Sequence, residues 1–132
     1  MKLLLDTHLL LWAAAPDGGS DHALPPAAAT LIDDEQNVLH FSAASIWEVA
    51  VKSARGRADF VVDPYLLRRG LLDNGYVEIA ITSEHAAAVA SLPPIHKDPF
   101  DRLLVAQAAV EGLTLLTVDA DLARYPGPIR AL

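Results

Sequence analysis

The stretch DPFDRLLVAQAAVEGLTLLTVD, residues 98–119, decides how this chain folds. Asp98 before Pro99 marks a helix start in two ways. The Asp carboxylate accepts from the free N–H groups of a first turn, and Pro suits the first helical position, where its missing N–H costs nothing. The helix runs to Gly112, a residue type on which helices stop because it tolerates a left-handed backbone. Residues 113–118 then form an apolar run of strand length, closed by Asp119.

Working outward, the same alternation recurs. Lys2, Leu3, Leu4 and Leu5 form a short apolar strand that stops at Asp6, and residues 7–15 read as a helix capped by Asp6 or Thr7. A Pro- and Gly-rich turn at 16–20 leads to a helix over 25–34. A strand over 38–41 meets Ser42, which caps a helix over 43–54 that Gly56 ends. Asp63 and Pro64 open a helix that Gly75 closes, residues 76–81 form a third strand, and Thr82 or Ser83 caps a helix reaching Leu92 before Pro93 and Pro94 break the chain. After Asp119 come a short helix and a candidate edge strand at 129–132. Strands separated by helices need crossover connections and burial on both sides, so the expected fold is a three-layer α/β/α sandwich with a central parallel sheet, one domain spanning residues 1–132.

Composition narrows the function. With 52% hydrophobic and 20% charged residues the chain is too apolar to be disordered, and no apolar run is long enough to cross a bilayer. The start has a basic residue, an apolar middle and small residues near Ala13, as a secretory signal does, but Asp6 and His8 interrupt it, so the segment reads as mature cytoplasmic sequence. The absence of cysteine excludes a disulfide framework, a thiol nucleophile and a thiolate zinc site. A net charge of −7 argues against holding nucleic acid by bulk attraction. It fits carboxylates gathered around cations, which reverse the local field.

Four acids are the candidates. Asp6 and Asp119 follow strands, and sites in open α/β sheets lie beyond the carboxyl ends of strands, although an Asp there also caps the next helix. Asp101 shares a face with Val105 and Ala108 in a helix apolar nearly all round, where a carboxylate is costly without a cation or donors. Glu48 has the plainest structural reading: Ile46, Trp47, Ala50, Val51 and Ala54 form the expected buried stripe, leaving Glu48 at the polar edge with Lys52 at i+4 and Ser45 three residues before it. Together the four give an all-oxygen set suited to Mg²⁺ or Mn²⁺. Thr117 shares a strand side with Asp119 and is a candidate partner for a bound water. His8, His22, His40, His85 and His96 show no ligand spacing among themselves, and Asp98 and Asp121 are explained by a cap and a solvated first turn.

At these residues the chain resembles PIN-domain ribonuclease toxins of the VapC kind, through LLLDTHLLLW around Asp6, SAASIWEVAVK around Glu48, HKDPFDRLLVAQA around Asp101 and LLTVDADL around Asp119. The resemblance implies a metal-binding acidic pocket, with Asp6, Glu48, Asp101 and Asp119 as its catalytic acids and Thr7 and Thr117 as helpers. It further implies Mg²⁺- or Mn²⁺-dependent endonucleolytic cleavage of RNA, a cognate antitoxin and a homodimer. Lys52, Arg55, Arg57, Arg68 and Arg69 are candidate phosphate contacts, with solvated helix faces as their plain alternative.

Two other functions compete. An aspartate phosphatase would use Asp6 as nucleophile, but the family with that arrangement places a second Asp two residues on, where this chain has His8; a receiver-like phosphoacceptor would need an acid where Ser42 stands. A non-catalytic PIN-like binding module would fill the acids with a partner's Arg instead of a metal, leaving unpaired carboxylates costly in the free protein.

Overall fold

The computed structural model describes residues 1–14, 24–56 and 62–132. Five strands, β1 (Lys2–Leu5), β2 (Val38–Ser42), β3 (Val77–Ile79), β4 (Thr114–Thr117) and β5 (Ile129–Ala131), lie in the order β3-β2-β1-β4-β5, every pairing parallel. Among the described residues six helices accompany them: α1 (Thr7–Ala14), α2 (Pro26–Asp33), α3 (Ala43–Ala54), α4 (Pro64–Asp73), α5 (Ser83–Ala88) and α6 (Pro99–Glu111). The expected three-layer α/β/α architecture is present.

β1 is central because its leucines serve two cores. Leu3 and Leu5 pack with Leu9, Leu10 and Phe41 on one face, while Leu4 packs with Leu104, Val105 and Ala108 of α6 on the other, and none of the three has exposed surface. Side chains alternate across a strand, so three consecutive leucines can be buried only between two covering layers. Each contributes about 1.5–3 kcal/mol by leaving water.

The order of the strands locates the site. The chain steps outward from β1 to β2 and β3, then returns to place β4 on the opposite side of β1. Winding therefore reverses between β1 and β4, and at such a reversal the connections leave toward opposite faces and open a crevice beyond the strand ends. Asp6 follows β1, and Asp119 lies two residues beyond β4. α6 delivers the chain into β4 through Gly112, whose φ of 69° is left-handed, the conformation a Cβ opposes.

Several elements differ from their sequence reading. β3 spans only Val77–Ile79, and the helix expected to reach Leu92 ends at Ala88 and tightens into a 3-10 turn at Val89–Ser91. Leu92 is extended, with ψ 140°, as the residue before a proline prefers. The last short helix is a single 3-10 turn, Leu122–Arg124. The turn at 16–20, Ala15, His22 and Arg57 lie outside the described residues.

The buried face of α3 is the largest correction. Ala44, Ser45, Glu48 and Val49 are buried, whereas Trp47 is 56% exposed and meets Phe100 edge-on at 4.8 Å between ring centres. The apolar stripe misled because the inward face of this helix carries polar groups that find partners. The start of α3 is also fixed from outside. Ser42 caps it by accepting from the Ala44 N–H at 2.9 Å and donates to Gln107 Oε1 of α6 at 2.5 Å.

Candidate metal-binding acidic site

Asp6 is both a cap and a member of the cluster. Its Oδ1 accepts from the Leu9 N–H at 2.9 Å, starting α1, and its Oδ2 accepts from the Thr117 hydroxyl at 2.6 Å. The Thr117 oxygen in turn accepts from the Asp119 N–H at 3.0 Å, so one buried hydroxyl joins the acids after β1 and β4. Thr117 thus bonds to the Asp6 carboxylate and to the backbone of Asp119.

Glu48 is 2% exposed, not at a polar edge. Thr7 Oγ1 lies 2.8 Å from Glu48 Oε1 and 2.9 Å from Ser45 Oγ. With one proton, the Thr7 hydroxyl donates to the carboxylate and accepts from the serine. Lys52 forms the expected i+4 pair with Oε2, and its side chain is 36% exposed. Thr7, itself bonded to Ser45, and Lys52 therefore compensate an acid that the apolar pattern had placed outside the core.

Asp101 is the uncompensated member. Its carboxyl is pushed up to about 7, first by burial and then by the negative charges of Asp98, Glu48 and Asp6, against a smaller opposing effect of His96. Among the described residues its nearest basic partner is His96 Nε2, at 3.7 Å. Asp98 does cap α6, accepting from the Phe100 and Asp101 N–H groups at 2.8 and 3.4 Å, but that bond serves the backbone and leaves the Asp101 carboxyl unrelieved. Asp6 is also raised by burial, with the Thr117 and Leu9 hydrogen bonds offsetting part of the effect.

His96 belongs here too, which spacing among histidines did not reveal. Its Nε2 lies 2.9 Å from Asp119 Oδ2, and ligand atoms of His96, Asp101 and Asp119 lie within 4.8 Å of one another. The signal was local: a His two residues before an N-cap Asp can accept that residue's N–H on its ring, and His96 Nδ1 does so at 3.0 Å. His8 is exposed, and His40 and His85 are buried on Leu3 O and Glu111, away from the acids. Asp121 gives its N–H to Asp119 Oδ1 at 2.9 Å while its own carboxylate is solvated beside Arg124.

Of the candidate phosphate contacts, the structure brings Lys52 to the acids. Arg55 is exposed at the end of α3, Arg69 is exposed on α4, and Arg68 pairs at 3.0 Å with Glu78 of the edge strand β3.

The residues fit a hard divalent cation. Asp101 and Asp119 lie together with His96, Asp101 feels the charges of Glu48 and Asp6, and the charge on Asp101 lacks a counter-ion such as Glu48 has in Lys52. A cation held by Asp6, Glu48, Asp101 and Asp119 would relieve that repulsion, and carboxylate oxygens suit Mg²⁺ or Mn²⁺.

Comparison with known proteins places the fold and the family. No match is found among curated proteins. Among solved structures, the chain is similar to a chain in the crystal structure of VapBC2 from Rickettsia felis bound to a DNA fragment from their promoter, with TM-score 0.70 and 13% identity, covering 100% of this chain and 99% of that one. At that identity the likeness is one of fold. The PIN domain profile matches residues 3–128. That span reaches from β1 to the threshold of β5 and holds all four acids, and the chain belongs to the PIN domain family.

Proposed function

We propose that the domain formed by residues 1–132 is a Mg²⁺- or Mn²⁺-dependent endoribonuclease, the toxin of a VapC-type toxin–antitoxin pair. The observation that carries this reading is the Asp101 carboxyl, pushed up to about 7 by burial and by Asp98, Glu48 and Asp6, with His96 at 3.7 Å opposing part of the effect and no Lys or Arg paired with it among the described residues. A bound cation would offset that repulsion, and carboxyls perturbed in this way cluster at functional sites.

When bound, the cation would activate a water and offset the charge on the phosphodiester. The chain's own residues hold the donors. Thr117 fixes Asp6 relative to the backbone of Asp119, Thr7 fixes Glu48, and the cap at Asp98 fixes the first turn that carries Asp101. Lys52 and Arg55, on the turns after Glu48, are the basic residues proposed to meet RNA phosphate, since the net charge of −7 leaves only local attraction. Arg57, Arg68 and Arg69 are further candidates. No helix among the described residues is long and apolar enough to cross a membrane, and we place the protein in the cytoplasm as a homodimer controlled by a cognate antitoxin. The likeness to a chain of VapBC2 supports that partnership.

The test is cleavage of total cellular RNA by antitoxin-free protein with Mg²⁺ or Mn²⁺, with chelator, and after Asp6→Asn or Asp101→Asn, each variant checked for folding. Cleavage abolished by chelator and by either substitution supports the reading. A folded protein that binds neither cation and cuts no RNA overturns it.

A further inference from the structure

We propose that His96 is a positioning residue that holds Asp119 through its Nε2–H and is not itself a ligand of the cation. This deepens the metal-site reading above and rests on it. Judged by proximity alone, His96, Asp101 and Asp119 form a three-ligand set. The hydrogen bonds divide them differently.

The Nδ1 of His96 accepts the backbone N–H of Asp98 at 3.0 Å, and that N–H has no choice but to donate. The bond uses the Nδ1 lone pair, so the neutral ring carries its proton on Nε2. Nε2 is the nitrogen 2.9 Å from Asp119 Oδ2, and there it donates. Ligation of a cation through Nε2 requires a free lone pair there, hence a proton on Nδ1. That proton would face the Asp98 N–H, donor against donor, and leave a partly buried backbone group unpaired.

Asp119 is consequently held at both oxygens, by His96 on Oδ2 and by the Asp121 N–H on Oδ1 at 2.9 Å. Each oxygen keeps a further lone pair for a cation, and hydrogen bonds to ligands from outside the coordination sphere are what orient them. The donor set stays all-oxygen.

The loop bearing His96 is itself braced. The His96 N–H donates to the Tyr125 hydroxyl at 2.8 Å, and Arg102 donates to that hydroxyl and to Pro93 O at 3.0 Å each and to Val89 O at 3.2 Å. Arg102 is therefore committed to the approach to α6 and not to substrate. Tyr125 is 3% exposed, so the brace is anchored in the core.

The experiment uses the full chain in three measurements. Nitrogen-15 NMR of the imidazoles reports the His96 tautomer without and with Mg²⁺; pulsed EPR of bound Mn²⁺ reports coordinated nitrogen; calorimetry gives Mg²⁺ and Mn²⁺ affinities for wild type, His96→Gln and His96→Ala. The expected results are a protonated Nε2 that persists with Mg²⁺, and no nitrogen coupling that depends on His96. His96→Ala is expected to weaken both cations alike by about 10- to 100-fold, while His96→Gln, which retains an N–H donor, stays within roughly threefold of wild type. A Mn²⁺ nitrogen coupling that disappears in His96→Gln, or loss of Mn²⁺ with Mg²⁺ retained, overturns the proposal, as does wild-type affinity in His96→Ala. If His96→Ala does not fold, the wild-type tautomer decides: a proton on Nδ1 overturns the assignment. Failure of the wild-type protein to bind either cation overturns the metal-site reading itself, which no variant is needed to see.

Discussion

Thr117 Oγ donates to Asp6 Oδ2 at 2.6 Å across 111 positions of sequence. Because the same oxygen receives the Asp119 N–H, a single hydroxyl sets the separation of two of the four acids. Thr117→Val keeps the shape and removes the bond, leaving a buried carboxylate and a backbone N–H short of a partner. A loss of about 1–3 kcal/mol in stability at neutral pH is expected. Thr117→Ser should restore most of it, as urea unfolding of the two variants would show.

Asp101 gives a pH prediction whose sign is opposite to that of an ordinary paired carboxylate. Its folded value of about 7 stands above the ordinary aspartate value of 3.8, so the native state holds the proton more tightly than the unfolded chain. That contribution to stability is fully present below about pH 4 and is lost as pH rises to 7. The metal-free Asp101→Asn variant should therefore match wild type near pH 4 and exceed it by on the order of 2 to 4 kcal/mol at pH 8. Thermal melts in chelator across that range would check it, and saturating Mg²⁺ should shrink or reverse the gap.

Gln107 is wholly buried and joins α6 to the cap of α3 through Ser42. Gln107→Ala removes that bond and opens a cavity, at an expected cost of about 2–4 kcal/mol. Because α3 carries Glu48 and α6 carries Asp101, cation affinity should fall in the same variant. Calorimetry on folded protein at low temperature would separate the two effects.

Trp47 should behave as a surface residue. Loss of its edge-on contact with Phe100 in Trp47→Ala is expected to cost about 1 kcal/mol, far below the 3–5 kcal/mol typical of a core aromatic. A core-sized loss in denaturant unfolding would contradict the observed packing.

The comparison of sequence with structure turns on which residues announce themselves. Leu3, Leu4 and Leu5 betray a doubly covered strand, and Asp98 with Pro99 and Gly112 bracket α6 correctly, because these signals act within a few residues of chain. The parallel sheet followed from the alternation of strands and helices. Glu48 was placed on the wrong side of α3 because a buried acid is recognisable only by partners, and Thr7 lies 41 positions away. His96 was passed over because ligand spacing was sought among histidines, while its partners are the backbone of Asp98 and the carboxylate of Asp119. Arg68 was named a candidate phosphate contact by charge alone, and its exposed pair with Glu78 of β3 could not be read from local sequence. Where a residue's meaning comes from distant chain, periodicity carries no trace of it.

The pairing of β1 with β4 has a consequence in time. Asp6 leaves the ribosome 111 residues before its partner hydroxyl at Thr117, and a contact of that span is slow to form. A nascent chain already carrying Asp6 still lacks the strand whose Thr117 holds it. Synthesis itself thus imposes a delay on that contact until β4 has emerged and docked.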